Sequence, residues 1–128
     1  MDPSEAIADL KELSTQIETV VLASREGEVV AASAPAGSAG TIGLAARSLV
    51  DAAEAVRRDL GRDALAQVQA ATPEGSVFVV VDAQRMAVAT TGVDPTVGLV
   101  FYDLKTLLRQ TGDAPVAAPG EEEPDDQA

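Results

Sequence analysis

The feature of this sequence that most constrains its fold is a long alanine-rich segment followed by a stretch without charge. Residues Thr41–Leu60 carry apolar side chains at three- and four-residue spacings, which predicts a helix with a broad apolar face. The residues of that face are Ile42, Ala45, Leu49, Ala52, Ala53, Val56 and Leu60, widened by Ala46 and Val50. Gly61 follows where a helix commonly ends. Because one sheet face cannot cover so much apolar surface, we expect a second surface to pack on this helix.

The uncharged segment Ala64–Thr72 is predicted to be a strand. Its alternating faces would be formed by Ala64, Ala66, Val68 and Ala70 on one side and by Leu65, Gln67 and Gln69 on the other. Monomeric proteins usually protect an edge strand with charge, proline or a bulge. If this strand is an edge, its lack of protection indicates that it pairs with another chain.

Four charged residues form a polar stripe on the predicted helix. They are Arg47, Asp51, Glu54 and Arg58, again at helical spacing. This spacing predicts the ion pairs Arg47–Asp51 and Glu54–Arg58, each between residues one turn apart. A solvated helix face and a contact surface for a partner protein explain the stripe equally well.

The charge distribution predicts one folded domain and a tail. The chain has 128 residues and a net charge of -12, and residues 113–128 carry six of its 21 acids and no base. We expect a domain over residues 1–111 and a disordered acidic tail over 112–128, which serves solubility or partner contact rather than a cation site. No basic footprint for nucleic acid is present, and acids repel an anionic membrane. With no apolar run long enough for a bilayer and no signal-like start, the expected location is cytoplasmic.

The residue types argue against an enzyme. The chain lacks histidine and cysteine and has no phosphate-binding loop of the G-x-x-x-x-G-K-[ST] kind, so we expect no catalytic residue, metal or cofactor. An arginine supplied to a GTPase can accelerate hydrolysis. Arg25 and Arg85, on predicted hairpin tips, are nevertheless expected to be ordinary surface residues.

The remaining patterns predict a three-layer α+β fold. A first helix from Pro3 to about Gln16, capped by Asp2, precedes strands Thr19–Ser24 and Glu28–Ser33 and a loop, Ala34–Gly40. Strands Ser76–Val81 and Met86–Thr91 lead to a last helix from Asp94, its N-cap, to about Gln110. The predicted buried residues of the two terminal helices are Ile7, Leu10, Leu13 and Ile17, then Leu99, Val100, Leu104, Leu107 and Leu108. Five antiparallel strands with helices on both faces result.

Three stretches resemble a known family. They are VVLASREGEVVAAS at Val20–Ser33, LGRDALAQVQAAT at Leu60–Thr72 and DPTVGLVFYDLKTLLRQ at Asp94–Gln110. In this order and spacing, the chain resembles the roadblock family, named for dynein light chains and shared by bacterial gliding-motility GTPase regulators. The resemblance covers roughly residues 4–110. It implies a roadblock/profilin-like sheet of five strands with one long helix on one face and two helices on the other.

The resemblance also implies partners. Family members typically dimerise by pairing their third strands and packing their long helices side by side, and they bind small Ras-like GTPases across those helices. This would place Ala46, Val50, Leu65, Ala66, Gln67, Val68 and Gln69 at the dimer interface. Arg47, Asp51, Glu54 and Arg58 would contact the GTPase.

The function predicted from residues and resemblance together is a non-catalytic homodimeric regulator or scaffold for a small Ras-like GTPase. Two alternatives remain open at this stage. One is a small-molecule sensor, although the alanine-, valine- and leucine-rich core offers few polar groups that would converge on a ligand. The other is an assembly subunit whose only activity is dimerisation within a larger complex.

Overall fold

The computed structural model describes residues 1–59 and 67–112, which form three helices and five strands. In chain order, these elements are α1 (Pro3–Leu13), β1 (Ile17–Ser24), β2 (Val29–Ala32), α2 (Ala36–Asp59), β3 (Gln67–Thr72), β4 (Gly75–Val81), β5 (Arg85–Thr91) and α3 (Val97–Thr111). All strand pairs are antiparallel, in the order β2-β1-β5-β4-β3. The predicted element order is confirmed, and β3 lies at one edge of the sheet.

The helices divide between the two faces of the sheet. Helices α1 and α3 pack on each other and on one face, and α2 packs on the other face over β1, β2 and β5. On the α1/α3 side the core includes Phe78 and Phe101, whose rings meet edge to face with centroids 5.1 Å apart. On the other side, Ala46 and Val50 of α2 pack in one cluster with Val79 of β4. The predicted α+β fold is therefore confirmed.

Helix α2 begins earlier than the sequence predicts. The expected loop Ala34–Gly40 belongs to the helix from Ala36 onward, and the Ala39 N–H donates to the Pro35 carbonyl oxygen at 2.9 Å. Glycines disfavour helix interiors, which made this segment resemble a loop. Ala39 is buried against the sheet, so tertiary packing overrides the low helix propensity of its neighbours.

The C-terminus of α1 and the N-terminus of α3 also differ from prediction. Helix α1 ends at Leu13 rather than Gln16, and Ile17 begins β1 instead of continuing the helix. Helix α3 begins at Val97, because Asp94 adopts a left-handed backbone with φ of 58° and Thr96 takes the N-cap position. The predicted cap at α1 is confirmed, since the Asp2 carboxylate accepts from the Glu5 N–H at 3.2 Å.

Two leucines that were predicted to be buried lie on the surface. Leu13 is 85% exposed and Leu99 is 50% exposed, whereas Leu10, Leu104 and Leu107 are buried as expected. Leu13 is the last residue of α1, and Leu99 lies in the first turn of α3. At both positions the helical periodicity continues, but the sheet no longer covers the side chain. The expectation that they belong to the core is wrong.

Several predictions fall outside the described residues. These concern Leu60, Gly61, the strand residues 64–66 and the acidic tail 113–128. They stay predictions.

A backbone contact between two glycines sets the distance between α2 and the β1–β2 turn. Gly27 has a φ of 93° in that turn, and it faces Gly43 of α2. A Cβ atom added to Gly43 would lie 2.6 Å from the Gly27 carbonyl oxygen, closer than such atoms approach in proteins. The absence of a side chain at Gly43 therefore lets the helix lie directly on the turn.

We predict that Gly43→Ala destabilises the protein by about 1–3 kcal/mol, because the new methyl group must push the turn and the helix apart. Gly40→Ala is the matched control, since no atom lies within 4 Å of its Cβ position. It should raise stability by about 0.5–1 kcal/mol through helix propensity alone. Urea unfolding of both variants measures the difference. Equal effects in both variants would contradict the contact.

Candidate functional site

Helix α2 carries three parallel stripes, and one of them is buried within the chain. Ala39, Gly43, Ala46 and Val50 recur at four-, three- and four-residue spacing and face the sheet. Ala46 is 3% exposed and Val50 is 1% exposed in a single chain. The sequence predicts these two residues at a dimer interface, and this stays a prediction; in the single chain their side chains pack in the core of their own domain.

The second stripe is uncharged and lies largely at the surface. It consists of Ala45, Leu49, Ala52 and Val56, of which Leu49 is half-buried and the others are exposed. These residues belong to the face that the sequence predicted to be the buried one. The small alanines would let the backbone of another helix approach closely.

The third stripe holds the four charged residues. The predicted pair of Arg47 and Asp51 is present, with nitrogen and oxygen 3.6 Å apart and both side chains at least half exposed. Glu54 instead pairs with Arg25 of the β1–β2 turn at 2.8 Å, in a partly buried position. The predicted Glu54–Arg58 pair is wrong, since no ion pair joins those residues in the described part of the chain.

A large apolar side chain lies beside this charged stripe. Leu44 is 57% exposed, and its position one turn before Arg47 and Ser48 brings it next to the charges. The sequence analysis did not single out Leu44. Its spacing was informative, because Leu44 precedes Arg47 by three residues and therefore falls on the charged stripe and on neither of the two apolar stripes. Arg47, Asp51, Arg58 and Leu44 together form a mixed polar and apolar surface, which we call the charged flank.

Strand β3 is an edge strand of the described sheet, and it lies at the edge away from the strands that α2 covers. Gln67 and Gln69 are exposed, and Val68 is half-buried on the α2 face. Val77 and Val81 of the neighbouring β4 are also only half-buried. Helix α2 packs mainly over β1, β2 and β5, so among the described residues an apolar strip of the sheet lies uncovered between α2 and the β3 edge.

The two hairpin arginines have structural partners. Arg25 holds Glu54, as described above, and Arg85 donates to the carbonyl oxygens of Leu108 and Thr111, both at 3.1 Å. These oxygens belong to the last turn of α3, where a helix has unpaired carbonyl groups and favours positive charge. Both arginines therefore position elements of the fold, and with side chains 27% and 17% exposed they are more buried than the surface residues that the sequence predicts.

Within residues 1–59 and 67–112, no three acidic side chains come together as a metal ligand set. The helices of that same region are too short or too polar to cross a membrane. What the described surface presents is a helix with two differing exposed flanks and an unprotected strand edge, which suits protein contact.

The fold is that of roadblock domains. A Roadblock/LC7 domain from Streptomyces avermitilis superposes with a TM-score of 0.82 and 16% identity, over 88% of this chain and 97% of that one. MglB from Myxococcus xanthus gives 0.75 and 11% identity, over 87% and 92% of the two chains. A profilin from Schizosaccharomyces pombe gives 0.62 and 12% identity, over 86% and 96%. The predicted roadblock/profilin-like architecture is confirmed.

These similarities are structural. No protein-family model matches the sequence, and no curated protein matches it either. Because the identities are low, the comparisons establish the fold alone.

We predict that the two ion pairs of α2 differ in their contribution to stability. Glu54→Gln should lower the free energy of unfolding by about 1–2 kcal/mol, because it weakens a short, partly buried charged hydrogen bond to Arg25. Asp51→Asn should change it by less than about 0.5 kcal/mol, because its pair with Arg47 is long and solvent-exposed. Thermal unfolding of both variants tests this. A larger effect at Asp51 would mean that the charged flank is structural rather than available.

Proposed function

We propose that this protein is a non-catalytic homodimer that binds a small Ras-like GTPase and regulates or positions it. The observation that carries the proposal is the division of the exposed surface of α2. One flank is uncharged and lies towards the free β3 edge, and the other is charged and carries an exposed leucine. The roadblock fold, together with the resemblance of the sequence to roadblock GTPase regulators, supports this assignment.

The dimer would form at the β3 edge. Gln67, Val68 and Gln69 supply backbone groups for pairing, and Leu65 and Ala66 continue the uncharged sequence of the strand. Pairing two copies at this edge joins their sheets and carries the partner's long helix over the half-covered valines of β3 and β4. The uncharged stripe of α2 would then pack against its counterpart, and the surface that one chain leaves exposed would be covered by the other.

The GTPase would bind on the charged flank. Arg47, Asp51 and Arg58 supply charges of both signs, and Leu44 supplies an apolar anchor of the kind that dominates protein interfaces. Glu54 is less suited to this role than the sequence predicts, because Arg25 already holds its carboxylate. This flank lies on the opposite side of α2 from the uncharged stripe, so dimerisation and GTPase binding do not compete.

Regulation would act on the state of the GTPase. Binding can shift a nucleotide-dependent equilibrium only if the affinities for its two states differ. Hydrolysis itself is left to the GTPase, since Arg25 and Arg85 are engaged in their own fold. A Ras-like partner would place the protein in the cytoplasm.

We predict that Gln67→Lys with Gln69→Lys converts the dimer to a monomer. Both side chains are exposed in the single chain, so the domain should keep its fold, while the paired strands would bring four lysines together. Sedimentation or light scattering gives the solution mass, and circular dichroism reports the fold.

The matched control places two lysines on the other edge of the sheet. Glu28→Lys with Val30→Lys changes exposed residues at β2 and should leave the dimer intact. If the β2 variant dissociates and the β3 variant does not, the proposed interface is at the wrong edge.

We predict that the protein binds the Ras-like GTPase of its own host with different affinities for the GTP- and GDP-analogue complexes. Leu44→Glu with Arg58→Glu should weaken binding about tenfold or more, because it removes the apolar anchor and reverses a charge. Calorimetry with each nucleotide complex measures the affinity, and phosphate release in the same samples shows whether hydrolysis is accelerated.

Val93→Glu with Lys105→Glu serves as the control, since it alters an exposed valine and an exposed lysine away from α2. It should leave GTPase binding unchanged. Absence of binding to either nucleotide form by an intact dimer would refute the regulator function and favour an assembly subunit.

A further inference from the structure

The groove between α1 and α3 is an interaction surface that the proposed function does not use. Its floor is formed by Ala6, Leu10 and Leu107, and it encloses a cavity volume of about 200 Å³. Leu13 and Tyr102 line the groove from either helix. This space is large enough to hold an apolar side chain from another molecule.

The rim of this groove is unusually apolar for a solvent-facing surface. Leu13 is 85% exposed and Tyr102 is 60% exposed. Leu99 lies one turn before Tyr102 on the same flank of α3 and is half exposed. Two large exposed side chains at the groove, with Leu99 one helical turn away, indicate a protein-binding surface more strongly than the same residues scattered singly would.

Carboxylates accompany these apolar residues. Asp9 of α1 and Asp103 of α3 both line the groove, and neither forms an ion pair within residues 1–59 and 67–112. Burial raises the pKa of Asp103, as expected for a carboxyl group that loses hydration without gaining a cation. The groove thus combines apolar contact with two negative charges that lack a positive partner.

The groove stays accessible in the proposed dimer. Helices α1 and α3 lie on the face of the sheet opposite to α2, whereas the dimer would use the β3 edge and the uncharged stripe of α2. A protein bound here would therefore leave both the second copy and the GTPase in place.

We propose that this groove binds a basic amphipathic helix of a partner protein. An apolar side chain of that helix would enter the groove between Leu13 and Tyr102, and its lysine or arginine side chains would pair with Asp9 and Asp103. A helix suits the site because α1 and α3 are adjacent helices that present the groove between them. Charge excludes the chain's own residues 113–128, which carry six acids and no base, and it also excludes an anionic membrane.

The test uses a fluorescent amphipathic peptide of leucine and lysine, about 18 residues long so that it can form a stable helix. The full chain is titrated at 150 mM salt, which screens weak long-range attraction. Binding should shift backbone amide resonances in α1 and α3, and fluorescence anisotropy gives the affinity. The same peptide with glutamate in place of lysine should not bind.

Two variants identify the contacts. Asp9→Asn with Asp103→Asn should weaken binding about fivefold or more, since it removes both charges while keeping side-chain shape. Leu13→Ser should weaken it about tenfold by removing apolar contact. Because Leu13 is 85% exposed, this second variant tests the groove without disturbing the core.

Matched changes elsewhere separate specific binding from general attraction to an acidic protein. Glu26→Gln with Glu74→Gln removes two charges from hairpin turns, and Leu44→Ser removes an exposed leucine from α2. Both should retain full affinity. The proposal is overturned if these controls weaken binding as much as the groove variants do, or if the resonance shifts lie in α2 or residues 113–128.

Discussion

The position of α2 depends on the close approach of Gly43 to the β1–β2 turn at Gly27. This contact holds the helix over β1, β2 and β5 and towards one edge of the sheet. The opposite edge, at β3, therefore stays thinly covered on that face, with Val68, Val77 and Val81 only half-buried. A helix centred on the sheet would bury these valines and turn its uncharged stripe away from the free edge. The positions of the candidate interaction surfaces thus follow from the contact between the backbones of Gly27 and Gly43.

The sequence was informative wherever a pattern was local. Alternation and helical spacing predicted the number, type and order of the elements, and i,i+4 spacing predicted the Arg47–Asp51 pair. It was less informative about which members of an apolar pattern are covered. Leu13 and Leu99 continue the periodicity of buried neighbours, yet they lie beyond the reach of the sheet. The Arg25–Glu54 pair joins a turn to a helix far along the chain, so no local spacing could reveal it.

The same limit applies to α2. Nine apolar positions around this helix were correctly identified as too many for one face of a sheet. Periodicity alone does not say which of them face the domain's own core, and Ala46 with Val50 were placed on the outer side. In the structure Ala46 and Val50 face the sheet, whereas Ala45, Ala52 and Val56 are exposed. In the proposed dimer, two-fold symmetry would then place one charged flank on each outer side of the helix pair, so that the two chains present equivalent surfaces.

The strand order has a further consequence for how the chain acquires its structure. Strand β1 lies between β2 and the central strand β5, and Ile17 is paired with Thr91. During synthesis, β1 therefore emerges well before its main partner exists, and the β1–β2 hairpin keeps an open apolar edge until most of the domain has left the ribosome. Such long-range pairing slows folding and prolongs exposure to aggregation. Dividing the domain anywhere between these strands would leave two fragments that each lack half of the core.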